Sequence, residues 1–182
     1  NYTGQVWVIP ESAAGDEVVS DTALYSFIGT QANGQGHETS YAQMLTDALG
    51  TDFDKIRVRQ GDTSETSLGG GALGSRSMVI GGLAVNAAVK TVIDKATPTA
   101  AELLEAATAD IEFAEGHFIV TGTDRSVGIF EVAAVAREGR GGINADPLEG
   151  RAQASSEAST YPNGFHVCEV EIDPETGTLE VV

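Results

Sequence analysis

Two runs in this sequence combine residue types that could do chemistry. They are "GTQANGQGHET", residues 29–39, and "GDTSETSLGGGALGSRS", residues 61–77. Each follows a strand-like run and leads into a helical pattern. The first turn of a helix offers N–H groups without intrahelical partners and carries a partial positive charge. Glycines let such a backbone come close to a ligand. Together these features make an anion site, typically for phosphate. Two such sites on one chain suit a ligand with several anionic or polar groups. The second run adds Arg76, whose forked guanidinium matches phosphate oxygens, with Ser75 and Ser77 beside it.

Other chemistries fail on detail. A Walker loop needs Gly-Lys-Ser/Thr, and the chain has Gly74-Ser75-Arg76. Gly29, Gly34 and Gly36 do not have the spacing of a dinucleotide fingerprint. His37, His117 and His166 are scattered, and Cys168 has no partner at zinc-ligand spacing. No nucleophile elbow is present. Asp52 with Asp54, and Glu112 with Glu115, read most simply as solvated faces. The residues alone leave two readings open: a site for a polyanionic small molecule, or two purely structural loops.

The elements that must position these loops follow from periodicity. Residues 4–9 and 22–29 are strand-like, separated by a polar insert. Tyr41, Leu45, Ala48 and Leu49 fall on one helical stripe over 37–49, and Gly50 supplies a stop. "KIRVRQ", 55–60, alternates like a half-buried strand. Residues 76–96 predict a second helix that tolerates Gly81-Gly82 only where something packs closely. "TPTAAELLEAA" predicts a third, with Thr99 and Glu102 at capping-box spacing. "IEFAEGHFIV" predicts a hairpin turning at Glu115-Gly116, and "GIFEVAAVARE" a short amphipathic helix. Residues 139–163 read as irregular. "GFHVCEVEID-PETG-TLEVV" predicts a second hairpin, with Pro174 and Gly177 in its turn, His166 in a strand and Cys168 as a core filler. Helices and strands are intermixed, so the class is α/β or α+β, with no internal repeat and no linker.

The chain has 182 residues, 41% of them hydrophobic, enough for a core in one domain. A net charge of −17 repels nucleic acid and anionic membranes, and neither partner is expected. No apolar run approaches the ~20 residues of a membrane span, and no signal peptide is visible. The single cysteine rules out an internal disulfide. The chain has no Met at position 1 and ends on a strand-like "TGTLEVV", which is expected of a piece of a longer polypeptide.

"NGQGHETSYAQ", residues 33–43, resembles a segment of the molybdenum hydroxylase large subunits, the xanthine dehydrogenase, aldehyde oxidase and carbon monoxide dehydrogenase type. "GDT" at 61–63 and "GSRS" at 74–77 resemble the next segment in the same order and spacing. "YPNGFHVCEVEIDPETG", 161–177, is similar to the strand pair that follows. The likeness runs from about residue 22 onward, and the three ordered segments together are more specific than any one.

The resemblance implies an α+β fold, a mixed sheet with packed helices, belonging to the molybdopterin-binding part of a longer large subunit. Residues 1–182 would form a single domain of it. It implies that Gln35 and Gly36, with His37 and Thr39 beside them, contact the molybdenum cofactor, and that Gly74, Ser75, Arg76 and Ser77 also line it. No side chain here is implied as a catalytic residue or as a metal ligand; the pterin holds the molybdenum. The family hydroxylates a carbon centre with oxygen from water, and its electrons leave through 2Fe-2S clusters to FAD on partner subunits. The "QGHET" form implies the bacterial three-subunit type, with a cytosine dinucleotide cofactor, and a cytoplasmic location with the periplasm as the alternative. Expected substrates are an aldehyde, an N-heterocycle or a CO-like carbon. The family's glutamate base, an upstream glycine-rich loop and the reactive-cysteine loop have no counterpart in these residues, so the 182-residue piece is expected to be inactive alone. Leu73 stands where relatives often carry an aromatic residue. The competing expectation is a scaffold that kept the fold and lost the cofactor.

Overall fold

The computed structural model describes residues 2–9, 23–63, 69–139, 145–161 and 164–182. The polar insert and the middle of the second glycine-rich run, 64–68, lie outside them.

Strand β2, Ala23–Ile28, is buried along nearly its whole length, as an inner strand should be. It sits in a four-stranded sheet of order β3-β2-β1-β7. Strand β1, Tyr2–Ile9, runs antiparallel to β2 and to β7, Glu149–Ala154. Strand β3, Ile56–Gln60, runs parallel to β2. A parallel pair needs a crossover, and helix α1, His37–Leu49, supplies it. Tyr41, Leu45 and Leu49 are fully buried along its predicted stripe. Gly50 ends the helix at φ 59°, its N–H donating to the Thr46 carbonyl at 2.8 Å; glycine takes this left-handed position without a Cβ penalty.

A π-helical turn, Ser77–Gly81, leads into helix α2, Gly82–Leu103. Ala84, Ala88, Val92 and Ala96 recur every fourth residue and are all buried. This stripe rests on the sheet with almost no side chain between. A Cβ on Gly4 would lie 2.6 Å from the Ala84 backbone, and one on Gly150 would lie 2.2 Å from the Ala88 oxygen. Helix α3, Ile129–Glu138, packs on α2. Strands β4 (Ile111–Ala114), β5 (His117–Val120) and β6 (Ser126–Gly128) form a small antiparallel sheet. Its first turn is Glu115-Gly116, with φ 48° and 79°, the pattern of a two-residue hairpin loop. Strands β8 (Val170–Ile172) and β9 (Leu179–Val181) make a separate hairpin.

Four expectations are corrected. Helix α2 does not stop before a third helix: it runs through Pro98 to Leu103, so Thr99 and Glu102 form no capping box. Ala96 and Ala100 are buried on either side of Pro98, which faces solvent; packing holds one axis where local propensity favours a break. The irregular stretch after 139 contains β7, whose "EGRAQA" has little β propensity but pairs with β1 along its length. Cys168 is exposed, and His166 lies exposed before β8 begins; no layer covers the hairpin among the described residues. Finally, Ser77–Leu103, 27 residues, is long and apolar enough to cross a membrane by length and composition. Its apolar character comes from the alanine and valine stripe that packs on the sheet.

Pro98 offers a direct check. Its missing N–H leaves the Asp94 carbonyl without its helical partner. Pro98→Ala should raise stability by about 2 kcal/mol, the helix-interior gain of ~3 reduced by the freer unfolded chain. An unchanged or lower thermal midpoint would show that the proline is accommodated without cost.

Candidate functional site

The two glycine-rich runs meet. The Gly70 N–H donates to the Gly29 carbonyl at 3.2 Å. A Cβ on Gly69 would lie 2.4 Å from that same oxygen, so the backbones touch. Below this contact is a buried polar cluster. The Tyr41 hydroxyl, fully buried on α1, donates to the Ser77 carbonyl at 2.6 Å. Its one proton is used there, so at the 3.4 Å contact with Thr30 the threonine hydroxyl is the donor. Gln60 Nε2 donates to Thr30 Oγ1, and also to His37 Nδ1 at 3.3 Å. The Gly81-Gly82 pair has the close packing it requires: Cβ atoms there would lie 2.3 Å from the Tyr41 hydroxyl and 2.9 Å from the Met44 methyl.

In the first run, Gln35 and Gly36 are exposed, as is Thr39, whereas His37 is only 3% exposed. Gln35 Oε1 accepts the Asn33 N–H, and its Nε2 donates to the Gln31 carbonyl at 3.4 Å. Gly36 adopts φ 75° and provides no side-chain cap. The first helical bond is made by the Ser40 N–H, so the earlier N–H groups of α1 are available to a ligand. His37 faces the Tyr41 ring, centroids 5.6 Å apart. Burial lowers its pKa below the usual 6.5. The imidazole is therefore neutral at pH 7 and adds no positive charge of its own.

Because the folded-state pKa is the lower one, the unfolded chain takes up a proton first as pH falls. The stability this group contributes is complete above about 6.5 and is lost as pH drops toward the folded-state value. Unfolding free energy measured at pH 5.5 and 7.5 should fall less in His37→Gln than in the wild type. Equal slopes would remove His37 as a source of acid sensitivity.

In the second run, Gly74 and Ser75 both adopt left-handed backbone, φ 65° and 56°. For serine this is a strained state of the kind stored at functional sites. The Thr160 hydroxyl donates to the Ser75 carbonyl at 2.9 Å and holds it. Arg76 is exposed, its Nε donating to the Leu73 carbonyl at 3.2 Å. Ser77 opens the π-helical turn without a side-chain cap.

Of the eight expected site residues, Gln35, Gly36, Gly74, Ser75 and Arg76 lie on the two runs, His37 and Thr39 in the first turn of α1 and Ser77 in the π-helical turn; the backbone contact between the runs is at Gly29 with Gly69 and Gly70. Sequence reading missed Thr30, Gln60, Tyr41's hydroxyl and Thr160. Gln60 carried a signal: it continues the Ile56, Val58 alternation, so it is a polar side chain on the inward face of β3. A polar, anionic ligand suits this arrangement. Added Cβ atoms on Gly34, Gly36 and Gly71 would meet nothing within 4 Å, so the loop surface is open. Gln60 Oε1 is buried beside it with no partner among the described residues. No cluster of three metal-ligating side chains occurs among the described residues. A cleft of about 180 Å³ lies elsewhere, at Asp52, Lys55, His117 and Phe130; Lys55 is engaged there by Asp52 at 3.5 Å and by the Phe130 ring.

Comparison with known proteins bears out the resemblance. The family described as "Molybdopterin cofactor-binding domain" matches residues 12–182. The gamma subunit of the 6-hydroxypseudooxynicotine dehydrogenase complex of Paenarthrobacter nicotinovorans is 36% identical over 152 residues, 82% of this chain and 19% of that protein. The carbon monoxide dehydrogenase large chain of Hydrogenophaga pseudoflava is 34% identical over 155 residues, 85% of this chain and 19% of that protein. The structure of reconstituted CO dehydrogenase from Oligotropha carboxidovorans superposes with a TM-score of 0.79 at 28% identity, over 99% of this chain and 21% of that chain. The chain spans about a fifth of the length of these relatives, and it shares the CO dehydrogenase fold. With the family matched over nearly all of its length, the chain belongs to the molybdopterin cofactor-binding domain family.

Proposed function

We propose that this chain is one domain of a longer large subunit and holds the molybdenum–molybdopterin cofactor of an oxidoreductase that hydroxylates a carbon centre with water. The observation that carries this reading is the meeting of the two loops. Both open helical segments without side-chain caps, and both are tied to one buried polar cluster. Gln35, Gly36, His37 and Thr39 would hold the cofactor from one side, and Gly74, Ser75, Arg76 and Ser77 from the other. When bound, the cofactor supplies two-electron redox chemistry at molybdenum. The chain's own part is to bind and orient. Free N–H groups at the start of α1 and the Arg76 fork suit anionic oxygens. The Gln35 carboxamide offers a donor and an acceptor for a polar heterocycle. His37, kept neutral, supports the loop without adding charge.

The cofactor is of the cytosine dinucleotide form in this reading. FAD and 2Fe-2S centres sit on partner subunits, the assembly is cytoplasmic, and the isolated piece turns nothing over. Relatives named for carbon monoxide and for 6-hydroxypseudooxynicotine differ widely in substrate. That breadth supports a domain that binds cofactor while residues elsewhere choose the substrate.

The test uses the natural polypeptide, expressed in its host with its neighbours. Molybdenum is measured by mass spectrometry and the nucleotide released by acid is identified. About one molybdenum per subunit with CMP is the expected result for one resident dinucleotide cofactor. Molybdenum without a cytidine would overturn the dinucleotide part. No molybdenum, with maturation intact, would leave a scaffold that kept the loops as architecture.

A further inference from the structure

We propose that Gln60 is a positioning residue for the cofactor loop, fastening both ends of the segment Gln31–Gly36 with one carboxamide. This rests on the cofactor-binding reading above. Gln60 ends β3, paired in parallel register with Ile28 of β2. Its Nε2 donates to Thr30, just before the segment, and to His37, just after it. Between those two points the segment's own ties are short-range: Gln35 to Asn33 and Gln31, and Gln31 to Ala32. Gln31, Asn33, Gly34, Gln35 and Gly36 are exposed. The position of the Gln35 amide therefore depends on where the two loop ends are held.

The same carboxamide reaches the second loop. Donors run in one direction from Gln60 N–H to the Thr30 hydroxyl, to the Tyr41 hydroxyl and to the Ser77 carbonyl. Such a chain polarises along its length, and here it starts beneath one loop and ends on the other. Gln60 shares the inward face of β3 with Ile56 and Val58, and its Oε1 is buried unpaired among the described residues. An apolar side chain would remove that unpaired atom but would leave the buried Thr30 hydroxyl and His37 Nδ1 without their donor.

The experiment compares wild-type holoenzyme with Gln60→Leu and Gln60→Glu. Molybdenum retained per subunit is followed over time in sub-denaturing urea, alongside the thermal midpoint and the Mo(V) EPR line shape. Gln60→Leu removes both ties. Gln60→Glu can accept from the Thr30 hydroxyl and from His37 Nδ1–H, so both loop ends stay fastened, but it takes the Thr30 proton away from Tyr41 and so cuts the link to the second loop. Gln60→Leu should release molybdenum roughly tenfold faster, the scale of an outer-shell change at a metal site, with an altered line shape. Gln60→Glu, which keeps the two loop-end ties and loses only that link, should release molybdenum more slowly than Gln60→Leu. Equal release from Gln60→Leu and wild type overturns the proposal, as does Gln60→Glu failing like Gln60→Leu. Should Gln60→Leu not accumulate, Thr30→Val removes the hydroxyl that joins Gln60 to Tyr41 while leaving the His37 tie, and wild-type release from that variant overturns the proposal. A wild-type enzyme without molybdenum overturns the cofactor reading itself, and this inference with it.

Discussion

Replacing Gly150 by valine should cost the protein about 3 kcal/mol or more, at the upper end of overpacking penalties, and lower its thermal midpoint by roughly 10 °C. The reason is entirely steric. A Cβ at this position would lie 2.2 Å from the Ala88 oxygen, 2.8 Å from a Val92 methyl and 3.0 Å from the Val92 nitrogen. Two of these are atoms of the α2 backbone and cannot rotate away. The helix would have to lift from β7, and its contact with β1 at Gly4 would open with it. Gly122 serves as the control. It has φ 78° but open space around an added Cβ, so Gly122→Ala should cost only the left-handed backbone penalty of about 1–2 kcal/mol. Comparing the two midpoints separates close approach from backbone freedom. A Gly150→Val midpoint within the error of Gly122→Ala would mean that α2 can slide on the sheet.

Gly81→Ala is expected to reverse its ordinary sign. In a helical segment this change usually gains about 0.5–1 kcal/mol. Here the added methyl would lie 2.3 Å from the Tyr41 hydroxyl and 3.2 Å from Cγ2 of Thr30. Tyr41 is fully buried, so its ring has little space to retreat. The hydroxyl must leave the Ser77 carbonyl, and the tie between α1 and the second loop is lost. A net loss of about 1–3 kcal/mol follows from the overpacking, with a lower molybdenum content in the assembled enzyme. The double variant with Tyr41→Phe removes the atom that clashes. It should be less destabilised than the sum of the single changes, by about 1 kcal/mol, as expected of residues in direct contact. Strict additivity across the four proteins would sink the argument.

Much of the positioning framework could be read from local pattern. Helix α1 begins and ends where the apolar stripe and Gly50 place it, and the Glu115-Gly116 turn falls where it was expected. Gly81-Gly82 announced close packing by being glycines inside a helical pattern, and Tyr41 and Met44 supply it. The eight proposed site residues came from the family resemblance of two segments, not from local pattern. What could not be read was decided by distant chain. Pro98 signals a break, yet Ala96 and Ala100 are held on one axis by burial in the core. β7 has no pattern of its own because its partner is β1, more than 140 residues away. Cys168 alternates like a core residue, but the layer that would bury it is not among the described residues. The Thr30, Tyr41 and Ser77 link joins residues 11 and 36 positions apart, and nothing local reports such a meeting.

The β8–β9 hairpin has a consequence for the order in which the molecule acquires its shape. One face aligns Val170 with Val181 and Ile172 with Leu179, all exposed; the other sets Glu171 directly against Glu180. Its turn is well nucleated, since Asp173 Oδ1 accepts the N–H groups of Glu175 and Thr176 at 2.8 and 3.3 Å. A two-stranded ribbon is nevertheless marginal by itself, and facing like charges weaken it further. The turn can therefore form early and locally, whereas the strands gain persistence only when their apolar face meets a surface. The ribbon's persistence thus depends on a surface outside itself, whereas the sheet and its helices carry their own core.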